Sequence, residues 1–277
     1  MPLAPLVVVL AGLWAPAAFQ KDPEPQQTPR EAGEPGEKKV ERVQLPRGKD
    51  RPPLFMEWTL ARADPKTPTL VLLHAARSSK GEYRPMVPRL KALGYNCLAV
   101  DLICGGASRE VRNNTAKAAR DAGRNPDYLD SLGDILDALT WVHENHGEGK
   151  TLLWGSSYSA GLALHVAGEH PDRVDGVIAF SPGEYFTSVG KSATWIQECA
   201  RKVRCPVLVT SARSEEPEWR PIFEALAASD KTGFVPAGAG THGSKALWEE
   251  SEGHAEYWTA VEAFLTRAFP SPAAPAR

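Results

Sequence analysis

Three features are scarce in this chain of 277 residues, and each scarcity excludes a class of protein. Lys and Arg total 32 against 34 Asp and Glu, so the formal net charge is −2 and nucleic acid is not expected as a partner. The four cysteines form no C-x-x-C pair, which leaves a zinc site or a thioredoxin-like motif without support. Cys199 and Cys205 are close enough in sequence to pair in an oxidising compartment, a question that sequence leaves open. No apolar run is long enough to predict a stable membrane span.

The N-terminal region differs in composition from the rest of the chain. Residues 6–14 (LVVVLAGLW) form a short apolar core that is followed by an A-x-A cleavage signature, although no Lys or Arg precedes it. This pattern predicts a signal peptide over residues 1–18 and a secreted or periplasmic protein. Residues 19–50 are rich in Pro, Glu and Lys and are predicted to form a flexible linker, because they bury too little apolar surface to offset their ordering entropy. A globular domain is expected over residues 51–270, followed by a disordered tail over residues 271–277.

Beyond the linker, short apolar runs alternate with segments of helical periodicity. Strands are predicted at residues 69–74, 95–100, 151–154, 176–179, 207–210 and 232–235, with an antiparallel edge strand at 54–61. Helices are predicted at residues 82–93, 127–145, 159–169, 219–228 and 257–269. This alternation predicts an α/β fold in which a mostly parallel central sheet has helices on both faces. Ligands of such sheets bind beyond the carboxyl ends of the strands.

The stretch at residues 152–164 (LLWGSSYSAGLAL) has the pattern of a strand, a sharp turn and a helix. From Gly155 onward it reads G-x-S-x-S, which departs from the G-x-S-x-G pattern of a nucleophile elbow only at the last position. Ser157 is the predicted nucleophile, and the backbone N–H of Tyr158 is expected to face a developing oxyanion. Ser159 is the alternative nucleophile, in the register S-x-S-x-G, and a serine-rich turn without chemistry is the other interpretation.

A serine nucleophile needs a base, and the base needs a third group to orient it. His242 is the preferred base because it lies on a loop of small residues after the last predicted strand, and His254 is the alternative. The acid is expected on the loop after the penultimate predicted strand, where Glu215, Glu216 and Glu218 are candidates. The resulting order of serine, acid and histidine is that of one hydrolase fold.

Together these motifs resemble the α/β-hydrolase superfamily, in its compact form close to dienelactone hydrolases and small esterases. The similarity extends over residues 69–269. It includes residues 101–108 (DLICGGAS), which are similar to the family's D-x-R-G-x-G-x-S loop, and the HPDRV segment after the predicted elbow helix. Alignment with the family's strand–G–x–x–D pattern places Glu215 at the position of the triad acid, with Glu216 second.

The resemblance also implies further site residues. The family carries His-Gly after its third strand, whereas here His74 is followed by Ala75. The N–H of Ala76 is therefore the expected second donor to the oxyanion, with that of Ala75 as the alternative. Arg77 is either a contact for an anionic substrate group or a surface charge, and Tyr185 is a candidate residue of the substrate pocket.

The expected function is that of a serine hydrolase, an esterase that cleaves a small ester, lactone or related acyl substrate. Its catalytic triad comprises Ser157 as nucleophile, His242 as base and Glu215 as orienting acid. No metal or organic cofactor is implied, and residues 181–204 are too few for a large cap domain. Two alternatives stay open, namely a hydrolase-fold binding protein with impaired catalysis and a serine peptidase, and sequence leaves the oligomeric state open.

Overall fold

The computed structural model describes residues 40–48 and 51–271. The predicted signal peptide, most of the predicted linker and nearly all of the predicted tail lie outside this part of the chain. The strands are β1 (Val40–Leu45), β2 (Leu54–Thr59), β3 (Thr69–Leu73), β4 (Asn96–Val100), β5 (Ala107–Ser108), β6 (Val111–Arg112), β7 (Thr151–Ser156), β8 (Gly176–Phe180), β9 (Val207–Thr210) and β10 (Lys231–Phe234). The helices are α1 (Val87–Ala92), α2 (Asn114–Asp121), α3 (Ser131–His146), α4 (Tyr158–Glu169), α5 (Trp195–Ala200), α6 (Glu216–Ala225) and α7 (His254–Ala268).

An eight-stranded sheet in the order β1-β2-β4-β3-β7-β8-β9-β10 forms the centre of the fold. The pairs from β4 through β10 are parallel, whereas β2 pairs antiparallel with both β1 and β4. Strand β7 shows how both faces are covered, because Leu153 packs with α3 and α4 while Leu152 and Trp154 pack with α7 on the other face. The predicted α/β fold with a mostly parallel sheet is confirmed.

The folded domain begins earlier than the predicted boundary at residue 51, because β1 belongs to the central sheet. This strand lies inside the segment predicted to be linker and pairs along its whole length with β2, so β2 is not the edge strand that sequence predicted. Val43 and Leu45 pack against the core from one face of β1, and the buried Arg47 forms an ion pair with Asp134 of α3. The linker prediction is wrong here because two apolar side chains spaced two residues apart suffice to bury one face of a short strand.

Two predicted helices are interrupted in the structure. The predicted helix at 82–93 is instead the end of a 3₁₀ turn, Lys80–Tyr83, followed by α1. Helix α1 begins after Pro85 and has Pro88 in its first turn. The segment 127–145 begins with a 3₁₀ turn capped by Asp127, and α3 follows. Between β8 and β9 the chain forms one 3₁₀ turn and the six-residue α5, so no large cap covers the sheet there.

All four cysteines are free thiols, so the structure contains no Cys199–Cys205 disulfide. Burial raises the pKa of each of these two thiols to about 11. Across residues 40–48 and 51–271, no helix combines the length and the apolar character needed to cross a membrane.

Candidate active site

The turn between β7 and α4 holds Ser157 in a strained conformation. Its φ is 60° and its ψ is −125°, a region that residues other than glycine rarely adopt. Strain of this kind costs about 1–3 kcal/mol and persists only where the surrounding structure enforces it. Here the N–H of Ser157 donates to the carbonyl oxygen of Phe180 at 2.8 Å, and α4 starts at the next residue, Tyr158.

The residues flanking Ser157 explain how the turn tolerates its departure from G-x-S-x-G. A Cβ on Gly155 would lie 2.4 Å from the Cα of Ala160, so glycine is required there. Ser159 is fully buried, and its hydroxyl accepts from the N–H of Ser156 at 2.9 Å and donates to the carbonyl oxygen of Leu73 at 2.8 Å. A serine at this position therefore ties the turn to the end of β3.

The contact at Gly155 predicts a large cost for adding one methyl group. Gly155→Ala is expected to lower the free energy of unfolding by about 3 kcal/mol, because the obstructing atom belongs to the backbone of Ala160 and cannot rotate away. Urea unfolding of the full chain measures this. The matched control is Gly233→Ala, whose methyl would meet Trp219 at an ordinary 3.4 Å and should cost less than about 1 kcal/mol. Equal losses in the two variants would contradict the steric explanation.

A histidine and a carboxylate meet on the loops that follow β10 and β9. The Nδ1 atom of His242 lies 2.5 Å from Oε1 of Glu215, and the other carboxylate oxygen, Oε2, accepts from the Ser181 hydroxyl at 2.6 Å. The Ser181 hydroxyl in turn accepts from the N–H of Gly243 at 2.9 Å. Glu216 instead forms an ion pair with Arg220 on the next turn of α6. Of these two glutamates, the structure therefore brings Glu215 to the histidine.

This arrangement shifts the pKa values of both partners. The hydrogen bond to Glu215 raises the pKa of His242 above its usual value, although burial opposes the shift, and the charges of Glu215 and Glu82 add to it. Burial acts to raise the pKa of Glu215, but the hydrogen bonds from His242 and Ser181 outweigh it and lower that pKa. The charged carboxylate is thereby favoured as the partner of the imidazole.

Ser181 is a site residue that was not predicted from the sequence. It directly follows β8 and has a positive φ of 53°, which aims its hydroxyl between the loops that carry Glu215 and His242. Its position at the carboxyl end of a predicted parallel strand was the one available signal, since ligand-facing residues gather at that edge of such sheets.

Ser157 and His242 line one cavity of about 420 Å³ at the carboxyl edge of the sheet. Its other lining residues are Ala75, Ala76, Arg77, Glu82, Tyr128, Ser156, Thr241 and Lys245. The cavity thus joins residues from the loops after β3, β7 and β10. Its mixed lining of hydroxyl, carboxylate and cationic groups suits a small polar molecule.

Backbone N–H groups are available beside Ser157. Tyr158 is the first residue of α4, and the first N–H groups of a helix have no partner within it. The N–H of Ala75 donates to Oε2 of Glu82 at 3.0 Å, so this alternative donor is already engaged. Ala76, which follows it, lines the cavity. Glu82 was missed by the sequence analysis because it lies in a segment predicted to be an amphipathic helix, yet it is fully buried.

The two candidate substrate contacts lie in different environments. Arg77 is exposed at the rim of the cavity and has a positive φ of 61°. Tyr185 donates to the carbonyl oxygen of Ser181 at 2.9 Å. Burial and the nearby Glu215 charge raise the pKa of Tyr185 to about 12, and a hydrogen bond with the Ser157 side chain opposes this shift. Tyr185 therefore stands beside both Ser157 and Glu215 as a neutral phenol.

Away from this cavity, one cluster of ligand-type side chains lies between α4 and α5. Atoms of His165, Glu169 and Cys199 lie within 4.8 Å of one another. His165 Nδ1 already contacts Cys199 Sγ at 3.0 Å, and Glu169 pairs with Lys202 at 2.6 Å. The cluster's groups are thus satisfied by one another and by a lysine.

Known proteins share this architecture. The family model described as the alpha/beta hydrolase fold matches residues 68–234, more than half of the chain. Epoxide hydrolase B of Mycobacterium tuberculosis is 28% identical over 118 residues, which are 43% of this chain and only 30% of that relative. A dienelactone hydrolase from Anabaena variabilis superposes with a TM-score of 0.63 at 17% identity, over 83% of this chain and 98% of its own. An esterase of Pyrococcus furiosus superposes with a TM-score of 0.61 at 17% identity, over 83% of this chain and 93% of its own.

The family match spans strands β3 to β10 and includes the turn at Ser157. The solved structures are only 17% identical to this chain, so their superposition shows a common fold alone. The chain therefore belongs to the alpha/beta hydrolase fold family.

Proposed function

We propose that this protein is a serine hydrolase that cleaves a small ester, lactone or related acyl substrate. The observation that supports the proposal most is the cavity in which a strained Ser157 and His242 face the same space, with Nδ1 of His242 held 2.5 Å from Glu215. A serine at a strand-to-helix turn, a histidine and a carboxylate behind the histidine are the three groups that nucleophilic acyl transfer requires.

In the proposed mechanism, the Ser157 hydroxyl oxygen attacks the acyl carbonyl while Nε2 of His242 takes its proton. Glu215 accepts from the Nδ1–H of His242, which fixes the tautomer and stabilises the imidazolium that forms. The N–H groups of Tyr158 and Ala76 donate to the oxyanion of the tetrahedral intermediate. His242 then protonates the leaving alcohol. Water, deprotonated by His242, hydrolyses the acyl-enzyme and restores Ser157.

The raised pKa of His242 sets the expected pH dependence. Only neutral His242 accepts a proton, so kcat/KM should fall as the pH drops through its pKa, above the usual value of the imidazole. Glu215→Gln removes the carboxylate whose hydrogen bond and charge raise this pKa, so the acidic limb of the pH profile should move to lower pH while kcat falls about 10⁴-fold. The pH profile of p-nitrophenyl butyrate hydrolysis measures both effects.

The neighbouring carboxylate provides the control for this variant. Glu216 pairs with Arg220 rather than with His242, so Glu216→Gln should leave the acidic limb in place. The assignment of Glu215 would be refuted if the acidic limb of the pH profile shifted in Glu216→Gln but kept its position in Glu215→Gln.

A fluorophosphonate probe separates this function from its alternatives. An activated serine reacts with the probe, so we expect one covalent adduct, assigned by peptide mass spectrometry to Ser157. A folded protein that fails to react would be a hydrolase-fold binding protein instead. A panel of p-nitrophenyl esters and peptide p-nitroanilides then distinguishes an esterase from a serine peptidase.

A further inference from the structure

A second cavity, of about 380 Å³, adjoins the one that contains Ser157. The two cavities share Ala76, Arg77 and Tyr128, so they lie side by side at the carboxyl edge of the sheet. We call the second cavity the arginine groove. Its lining includes the charged residues Arg77, Arg120, Arg124 and Asp127 and the apolar residues Ile103 and Val189.

The arginine groove carries an excess of positive charge. Three arginines line it against the single carboxylate of Asp127, which already accepts from the N–H of Leu129 at 2.7 Å. Arg124 is engaged in an interaction of its own, so Arg77 and Arg120 are the two cations considered for a ligand. Among the described residues, the guanidinium of Arg77 has no hydrogen bond or ion pair. Arg120 donates from Nη1 to the carbonyl oxygen of Gly105 at 3.4 Å, which engages one of its five donors. Cationic donors therefore converge on this groove.

The catalytic cavity carries the opposite charge at its inner wall. Glu82 is fully buried there, and its Oε1 atom has no hydrogen-bond partner among the described residues. A substrate anion placed against this wall would meet a like charge in a poorly solvated site, which is unfavourable. The same anion placed beyond Arg77 would meet guanidinium groups instead. Lys245 is the other lysine or arginine that lines the catalytic cavity, and it is exposed and lies over the Trp248 ring. Glu82 at the inner wall and the arginines beyond Arg77 thus favour one orientation of an anionic substrate.

We infer that the arginine groove binds a terminal carboxylate of the substrate while its ester carbonyl lies at Ser157. Preferred substrates are then half-esters of short dicarboxylic acids, in which the acyl chain crosses the boundary formed by Ala76, Arg77 and Tyr128. Guanidinium groups suit this role because their planar donors pair with both oxygens of a carboxylate. The inference rests on the proposed serine hydrolase function and specifies its substrate class.

The test compares charged and neutral esters of similar length on the full chain. The mono-p-nitrophenyl esters of succinate, glutarate and adipate are assayed beside p-nitrophenyl butyrate, pentanoate and hexanoate. We expect a higher kcat/KM for at least one half-ester than for its neutral counterpart at low salt. This ratio should fall as ionic strength rises, because the arginines are exposed to solvent.

Single substitutions then assign the preference to the groove. Arg120→Gln and Arg77→Gln should each lower the ratio of kcat/KM for the half-ester to kcat/KM for the neutral ester about tenfold. A tenfold loss is the lower end of the range for removing a hydrogen bond to a charged group. The matched control is Arg42→Gln, an exposed arginine on β1 at the far edge of the sheet, which should keep the original ratio. Calorimetric titration with glutarate should give binding that is weakened in Arg120→Gln and unchanged in Arg42→Gln.

The outcomes separate this inference from the function beneath it. The inference would be overturned if neutral esters were hydrolysed as well as half-esters, or if the preference for half-esters survived both groove substitutions. Either result would still be consistent with the proposed serine hydrolase. Absence of hydrolysis with every ester would count against the proposed function, and the glutarate titration then decides the inference alone. Glutarate binding that is absent, or equal in Arg120→Gln and Arg42→Gln, would overturn it.

Discussion

Replacing Ser157 with alanine is expected to lower kcat for p-nitrophenyl butyrate by about 10⁶-fold, the scale of loss when a serine nucleophile is removed. The physical reason is that the covalent route disappears. The donors beside the site can still stabilise an oxyanion, but only the slow direct attack of water remains. Substrate binding should change little, because the substitution removes one hydroxyl and leaves the cavity walls in place.

The control for this variant is another serine-to-alanine change at a site without chemistry. Ser192 is exposed and, within residues 40–48 and 51–271, its hydroxyl hydrogen-bonds to Glu198 alone, so Ser192→Ala should keep full activity and fluorophosphonate labelling. Ester turnover or labelling that persists in Ser157→Ala would contradict the assignment and direct attention to another serine. Circular dichroism of each variant checks that both retain the fold.

His242→Ala is expected to produce a loss of similar size, about 10⁶-fold in kcat. Without the imidazole, no group removes the proton from the Ser157 hydroxyl, which is almost entirely protonated near neutral pH. The contact between Nδ1 of His242 and Glu215 lies on an exposed loop, so the fold should tolerate the change. His254→Ala, at the start of α7, is the matched control and should retain activity.

The double variant carries the sharper test. If Ser157 and His242 act as one unit, the combined loss in kcat should equal about the loss of either single variant, because the second substitution removes a group that no longer functions. Multiplicative losses would show that the two residues act independently, which would contradict the proposed mechanism. Stopped assays at high enzyme concentration provide the needed sensitivity.

The sequence was sufficient to predict the central strands because their signal is strong. A strand buried on both faces must be nearly continuous in apolar residues, and Val207–Thr210 was predicted with the bounds that the structure has. The elbow at Ser157 could be located for a related reason, since a strand, a turn of small residues and a helix are all local patterns. Strand β1 was missed because its apolar alternation is limited to Val43 and Leu45, with Glu41 at the preceding position on the same face.

Contacts between distant residues explain the other gaps. Ser181 supports Glu215 from 34 positions away, and no local pattern marks a hydroxyl that will meet a carboxylate there. Glu82 is the first residue of a predicted helix, yet it is buried and its carboxylate accepts from the N–H of Ala75 in the loop after β3. The arginine groove combines the loop after β3 with α2 and the segment beyond it, so its charge concentration emerges only once those segments are packed together.

Strand β1 also has a consequence for how the molecule avoids self-association. Without β1, the backbone N–H and carbonyl groups on the outer side of β2 would be unpaired. Because β2 also carries the apolar Leu54 and Met56, such an open edge would promote pairing with a strand of another molecule. β1 covers that edge and puts a strand with the exposed side chains of Glu41 and Arg42 at the margin of the sheet. Charged side chains on an outer strand discourage a further chain from adding to it. Strand β1, which lies in the segment predicted to be a linker, thus protects the edge of the sheet against pairing with a strand of another molecule.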